Sequence, residues 1–390
     1  MIPRGTCPSL WEPMPTGDGL LVRVKPPGGV LTAAGARTLA EAASCWGNGV
    51  IEATGRANLQ IRGLQPTTVG RFAAAVVAAG LAHPDPAVER RRNVICAPLA
   101  ECGSAAGQVA AALEAMLAAD GRLASLPAKF GFLVDAGGVL GLAHVGADIC
   151  IRLRGDGCEV GLDGGRLAAR TDVREAAVLA CRLAHAFLQI ASPPRRMRDL
   201  VAEVDEAAVF TACGLKPVSR APIGRSPPAS VGWFPAARAF GAGLPFGTMA
   251  AGDLAQLAHA AERFGDGTLR LTPWRALILT GVTDPAPLEH LPFITDPADP
   301  LLRISACPGQ PGCESATVDT RRTALALSGL ALSGTVHVSG CSKGCAHPSP
   351  AALTLIGRDG RFDVVREGRA SDPPLRQSLT AAEAIAGAAA

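Results

Sequence analysis

Apolar and polar residues in this chain follow two periods. Spacings of three and four predict helices over residues 32–45, 66–81, 104–120, 172–190, 249–263, 316–328 and 380–389. Short alternating or β-branched runs predict strands over 19–25, 50–54, 57–63, 130–135, 149–154, 158–162, 268–272, 275–280, 334–339, 352–357 and 361–365. The longest apolar stretch, 72–81, reads as helix. It falls short of the roughly 18 residues a membrane span needs, so no membrane association is expected.

The pattern occurs twice. LTAAGARTLAEAA (31–43) and IEATGRANLQIRGL (51–64) are echoed by GTMAAGDLAQLAHAA (247–261) and LRLTPWRALILTGV (269–282). Each copy reads as Thr- or Ser-type capping, an Ala/Leu-rich helix, then strand, turn and strand. Thr54 matches Thr272, and Gly63 matches Gly281. RNVICAPLAEC (92–102) resembles RISACPGQPGC (303–313), which aligns Cys96 and Cys102 with Cys307 and Cys313. IRLRGDG (151–157) resembles TLIGRDG (354–360), each with an Asp-Gly turn between apolar strands. The chain is therefore two related halves, each a small module followed by a larger one, in an α+β fold. GLKPVSRAPIGRSPPAS (214–230) is Pro- and Ser-rich and reads as the linker. The expected divisions are 1–85, 86–212, a linker at 213–231, 232–298 and 299–390.

At 390 residues the chain exceeds one ordinary core. It is 48% hydrophobic and 18% charged, which excludes a disordered protein. A net charge of +3 without a clustered basic face argues against nucleic acid. The short basic groups at 90–92 and 195–198 suit solvated helix ends or an anionic small-molecule site. MIPRGTCPSLWEP has no hydrophobic export segment, and the 12 cysteines are scattered. Both features point to free thiols in the cytoplasm.

Four of those cysteines carry chemistry. Cys307 and Cys313 are spaced C-x5-C, and Cys341 and Cys345 C-x3-C. Four thiolates from two loops can hold a [4Fe–4S] cluster. A closed zinc site is the alternative, but structural zinc pairs lie two to four residues apart. Cys341 and Cys345 suit zinc; Cys307 and Cys313 fit it poorly. Pro308, Gly309, Pro311 and Gly312 allow an irregular first loop. Gly340 and Gly344 let main-chain N–H groups approach sulfur. The helix over 316–328 is expected to point its N-terminus at the anionic cluster. In the first half the C-x3-C place falls on LPAKFGFLVD (126–135), which has no cysteine, so Cys96 and Cys102 read as buried remnants.

Arg56 in TGRANLQIRG, Arg92 in RRNVIC and Lys129 in LPAKFG complete a set that, with the cysteine motif, resembles the sulfite and nitrite reductase family over nearly the whole chain. The resemblance implies two ferredoxin-like half-domains and two cluster-domain halves related by pseudo-twofold symmetry. It implies a [4Fe–4S] cluster on Cys307, Cys313, Cys341 and Cys345, with Cys345 bridging to sirohaem iron in haem-bearing members. It further implies that Arg56 and Arg92 bind anions and that Lys129 opens a K-x-K element. The second lysine falls on Gly131 here, so one positive charge needed for reduction of a small dianion is missing.

RGTCPSLWEPMPTGDGLLVRV (4–24) and GCSKGCAHP (340–348) resemble the oxygen-dependent branch of that family, which acts in aerobic cobalamin biosynthesis. That implies a monooxygenase inserting one atom of O2 at the C20 meso carbon of precorrin-3A, with γ-lactone formation. Electrons from NADH are expected through a separate reductase or ferredoxin-like carrier, because GVLTAAGA (29–36) is not a dinucleotide fingerprint. A mononuclear non-haem iron is implied in place of sirohaem. His347, just after Cys345, is its first candidate ligand, with His337 and His144 as alternatives. The substrate's many carboxylates would be held by Arg56, Arg92 and Lys129. A sirohaem-dependent nitrite or sulfite reductase is the competing enzyme, and a tetrapyrrole or cluster carrier the non-enzymatic one.

Overall fold

A computed structural model describes residues 8–101, 103–190, 196–220 and 229–388. Two five-stranded sheets exchange strands. The first is ordered Met14–Thr16, Gly19–Val24, Leu59–Leu64, Val50–Ala53 and then Thr248–Ala250 from the second half. The second is ordered Gly232–Phe234, Ala239–Gly243, Ala276–Leu279, Thr268–Leu271 and then Val30–Thr32 from the first half. The exchange continues into the helices that follow. Ala33 N–H donates to Gly267 O (2.9 Å), and Ala251 N–H to Gly49 O (2.8 Å). Those helices, Ala33–Trp46 and Ala251–Phe264, bury Ala/Leu faces and pack on each other. Small residues let their axes approach closely. Thr32 caps the first through Gly35 N–H (3.1 Å), as expected. The second departs from that expectation. Its cap position is Ala250, whose N–H donates to Asp253 (2.8 Å).

The larger modules each start with three parallel strands and a helical crossover. Val94–Cys96, Phe132–Asp135 and Ile149–Arg154 surround Ala105–Ala119 in the first. Ile304–Ala306, Val336–Ser339 and Ala351–Arg358 surround Thr320–Ser328 in the second. Antiparallel strands complete both sheets, and Val218–Ser219 adds an edge strand from within the expected linker.

Register corrects the pairing of the halves by one residue. Ile151 and Leu355 each stand three residues before their strand's end, opposite Val160 and Val364. Val134 and Val338 lie beside them. Ala97 N–H then donates to Val134 O (2.9 Å), as Cys307 N–H does to Val338 O (3.3 Å). Ala97 therefore holds the place of Cys307. Cys96, one residue earlier, faces the other side of the sheet. It is buried with its sulfur towards Ala106 O at 4.0 Å. By the same register Cys341 and Cys345 correspond to Gly137 and Gly141, not to positions within 126–135. The turn Asp359–Gly360 likewise matches Gly155–Asp156. Cys102 lies outside the described residues.

A buried ionic lattice joins the first sheet to the module behind it. Lys25 Nζ donates to Glu89 O and to Asn93 Oδ1 (3.2 Å). Arg92 donates to Lys25 O (2.6 Å), to Glu89 (3.0 Å) and to Glu114 (3.5 Å). Burial, partly offset by Glu89, pushes the Lys25 pKa down to about 8 from 10.5. Between those values the unfolded chain binds the extra proton, so stability rises with pH across that window. Lys25→Met is expected to remove this rise. Urea unfolding of both proteins at either end of the window checks it, and parallel pH profiles would refute it. Among the described residues no helix is long and apolar enough to cross a membrane.

Candidate active site

The two cysteine loops leave the C-terminal ends of adjacent parallel strands, where open α/β sheets gather their sites. They are tied to each other repeatedly. Gly340 N–H donates to Cys307 Sγ (3.1 Å), Thr317 N–H to Gly340 O (3.2 Å), and Lys343 Nζ to Ser315 Oγ (2.8 Å). Gly309 has φ +65°, and a Cβ there would stand 2.5 Å from Thr320 Oγ1. The first loop therefore needs glycine to pass under the helix. That helix begins at Thr320, later than expected, and Asp319 already occupies its N-terminus through Arg322 N–H (3.1 Å). The start of the helix still meets the first cysteine loop, because Thr320 Oγ1 donates to Cys307 O (2.6 Å).

Cys307, Cys313 and Cys345 line one cavity of about 540 Å³. Cys341 shares the short loop of Cys345. Cys307 is buried, Cys313 and Cys341 are partly buried, and Cys345 is exposed. A cubane needs one thiolate per iron rather than convergence on a point. Two cross-tied loops with a backbone N–H already on sulfur fit that donor set. Among the described residues no three His, Cys, Asp or Glu side chains converge on a single metal ion.

The same cavity is also lined by the cations Arg62, Arg275, Arg321 and Lys343 and by the carboxylates Glu52 and Glu314. Arg62 forks onto Asp18 (2.9 and 2.8 Å) and donates to Gly312 O, so the first sheet grips the first cysteine loop. Glu52 joins Arg62 (3.5 Å) to Arg321. The fork holds the Asp18 carboxyl below its usual pKa against the opposing effect of burial. Arg275 donates to Ala346 O (2.8 Å) and Ser305 Oγ (3.2 Å).

The turn 54–58 separates this cavity from a second, smaller one. Thr54 and Gly55 face the first; Arg56 and Asn58 face the second, of about 40 Å³. Lys129 and Arg196 line the second cavity as well. The fold thus brings Arg56 and Lys129 together. Fully buried Asp148 organises that place. It accepts from Arg196 (2.9 Å), Gly131 N–H (2.9 Å) and Met197 N–H (2.8 Å). Gly131 lines the same cavity, and a Cβ there would make only ordinary contacts. Arg92, expected beside Arg56 and Lys129, lines neither cavity. Glu89 and Glu114 hold its guanidinium in the lattice. Its influence is indirect. The neighbouring Asn93 donates to Phe130 O (3.0 Å) and Ala128 O (3.3 Å), holding the loop that presents Lys129.

The histidines separate into two places. His144 accepts from Trp274 Nε1–H (3.1 Å). The rings of His337 and His347 are neighbours with centroids 5.8 Å apart and planes tilted by 58°. His337 is fully buried, with neither ring nitrogen hydrogen-bonded. Burial, with His347 and Arg275 nearby, lowers its pKa to about 4. Among the described residues no carboxylate joins the pair, so a two-histidine, one-carboxylate iron site is not formed.

Residues 12–79 and 236–286 match the nitrite/sulfite reductase ferredoxin-like half domain, in the two copies expected. A precorrin-3B synthase from Sinorhizobium sp is 34% identical, over 95% of this chain and 84% of that protein. A ferredoxin–nitrite reductase from Synechococcus elongatus is 26% identical, over 90% and 79%. The structure of the Mycobacterium tuberculosis NirA protein superposes with a TM-score of 0.71 over 93% of this chain and 78% of that one, at 20% identity. It shares the fold.

Proposed function

The chain belongs to the precorrin-3B synthase family, and from that membership we propose an oxidoreductase that hydroxylates precorrin-3A at C20 with O2 and closes a γ-lactone, in aerobic cobalamin biosynthesis. The observation that carries the proposal is the cavity lined by three of the four cluster cysteines together with four cationic side chains and two carboxylates, Glu52 and Glu314. When bound by Cys307, Cys313, Cys341 and Cys345, a [4Fe–4S] cluster supplies electrons one at a time. One oxygen atom enters the substrate, and the other leaves as water with two protons and two electrons. Those electrons come from NADH through a separate reductase or ferredoxin-like carrier. No step is assigned to a mononuclear iron, since among the described residues His337 and His347 have no third partner.

The chain's own contribution is binding and orientation. A cavity of about 540 Å³ is of ligand-site size. Lys343, on the second cysteine loop, offers an exposed ammonium at its mouth. Arg56 and Lys129 hold a peripheral carboxylate on the far side of the turn 54–58. Arg56→Ala and Lys129→Ala are each expected to weaken tetrapyrrole binding about 10–100-fold, the loss of one charge-assisted hydrogen bond. The cluster absorbance should be unchanged, and equilibrium titration with the tetrapyrrole reads both. Undiminished affinity removes the assignment.

A sirohaem-dependent reductase is the second reading, favoured by the nitrite reductase relative. Gly131 in place of lysine weighs against it. The visible spectrum of anaerobically isolated protein separates them. Cluster absorbance without the red sirohaem band supports the oxygenase, and a sirohaem band supports the reductase.

A further inference from the structure

Arg275 occupies an unusual place in the repeat. Its turn, 272–276, matches 54–58, and Arg275 and Ala57 both take a left-handed φ, +59° and +52°. The second half therefore puts an arginine where the first half puts a methyl group. The guanidinium reaches both cysteine loops. It donates to the carbonyl of Ala346, next to Cys345, and to Ser305, two residues before Cys307. It lines the cavity with Cys307, Cys313 and Cys345.

Its charge is not cancelled locally. The acid that acts on it is Glu52, which is already shared between Arg62 and Arg321. His337, which feels its charge, and the neighbouring His347 are not anionic. Arg62, by contrast, is matched by Asp18 and Glu52. Lys343 is exposed, so water and salt screen it.

We infer that Arg275 is the counter-charge of the bound cluster and raises its reduction potential. The inference rests on the cluster assignment above. A cluster held by four thiolates is anionic and becomes more so on taking up one electron. A half-buried cation stabilises the reduced form more than the oxidised one. The two hydrogen bonds place that cation between the loops that carry the sulfurs.

The test is an EPR-monitored redox titration of the full chain, with iron and sulfide measured on the same samples. Arg275→Gln keeps an N–H donor for Ala346 but removes the charge. Its midpoint should fall below wild type at equal iron and sulfide content. Arg275→Lys keeps the charge and should stay near the wild-type potential. A wild-type potential in Arg275→Gln overturns the inference. So does Arg275→Lys falling as far as Arg275→Gln, since geometry would then be the cause. If Arg275→Gln holds no cluster, Arg275→Lys decides alone, a lowered midpoint or a lost cluster counting against it. Wild-type protein without iron and sulfide would instead sink the cluster assignment.

Discussion

Cys307→Ser protein is expected to emerge without acid-labile sulfide, without cluster absorbance, and with activity lower by about 100-fold or more, the upper end of what even an outer-shell defect costs a metal site. The reason is chemical rather than steric. Serine can still accept the Gly340 N–H that now meets the Cys307 sulfur at 3.1 Å. Its hydroxyl does not ionise to a soft anion, and iron–sulfur clusters take thiolates. Cys96→Ser supplies the matched control. Sequence similarity pairs Cys96 with Cys307, but register pairs Cys307 with Ala97 and puts Cys96 on the opposite face of its strand. Iron and sulfide content should therefore survive Cys96→Ser. Equal losses in the two variants would refute the one-residue offset.

Arg92→Ala is expected to cost roughly 3–5 kcal/mol of folding stability, the usual result of deleting one partner from a buried charge pair. Glu89 is 0% exposed and Arg92 6%. Without the guanidinium, Glu89 keeps the His83 N–H (2.9 Å) and a distant Lys25 at 3.9 Å, and Glu114 loses a partner as well. Denaturant unfolding monitored by circular dichroism reads the loss. A variant as stable as wild type but defective in tetrapyrrole binding would return Arg92 to the substrate site suggested by its motif. The i,i+3 spacing of Glu89 and Arg92 is a signal in the sequence that favours the structural role.

The legible parts of this fold are those with a local cause. Every strand expected from short apolar runs forms, because a run such as VIEA alternates buried and half-buried positions wherever its partner lies. The exchanged strands Val30–Thr32 and Thr248–Ala250 are three residues each, too short to show a period, and their partners lie in the other half of the chain. Pairing across that distance leaves no mark in local pattern. The cysteine loops were legible because spacing and Gly/Pro content are local. Arg56 and Lys129 were legible through motif and meet in one cavity. Arg62 and Arg275 were not, although both lie within the repeat segments. Their role depends on an adjoining module approaching the hairpin, which only tertiary structure decides. Asp148 was hidden for the same reason, since its carboxylate serves Gly131 and Arg196, 17 and 48 residues away in the chain.

Turnover of precorrin-3A by cluster-loaded protein, with reductant and isotopically labelled O2, tests the central claim most directly. The account predicts a product carrying one oxygen atom from O2, with no incorporation when the label is in water at the same position. A product that takes this oxygen from water, or unaltered precorrin-3A in protein that instead reduces nitrite or sulfite, would contradict it.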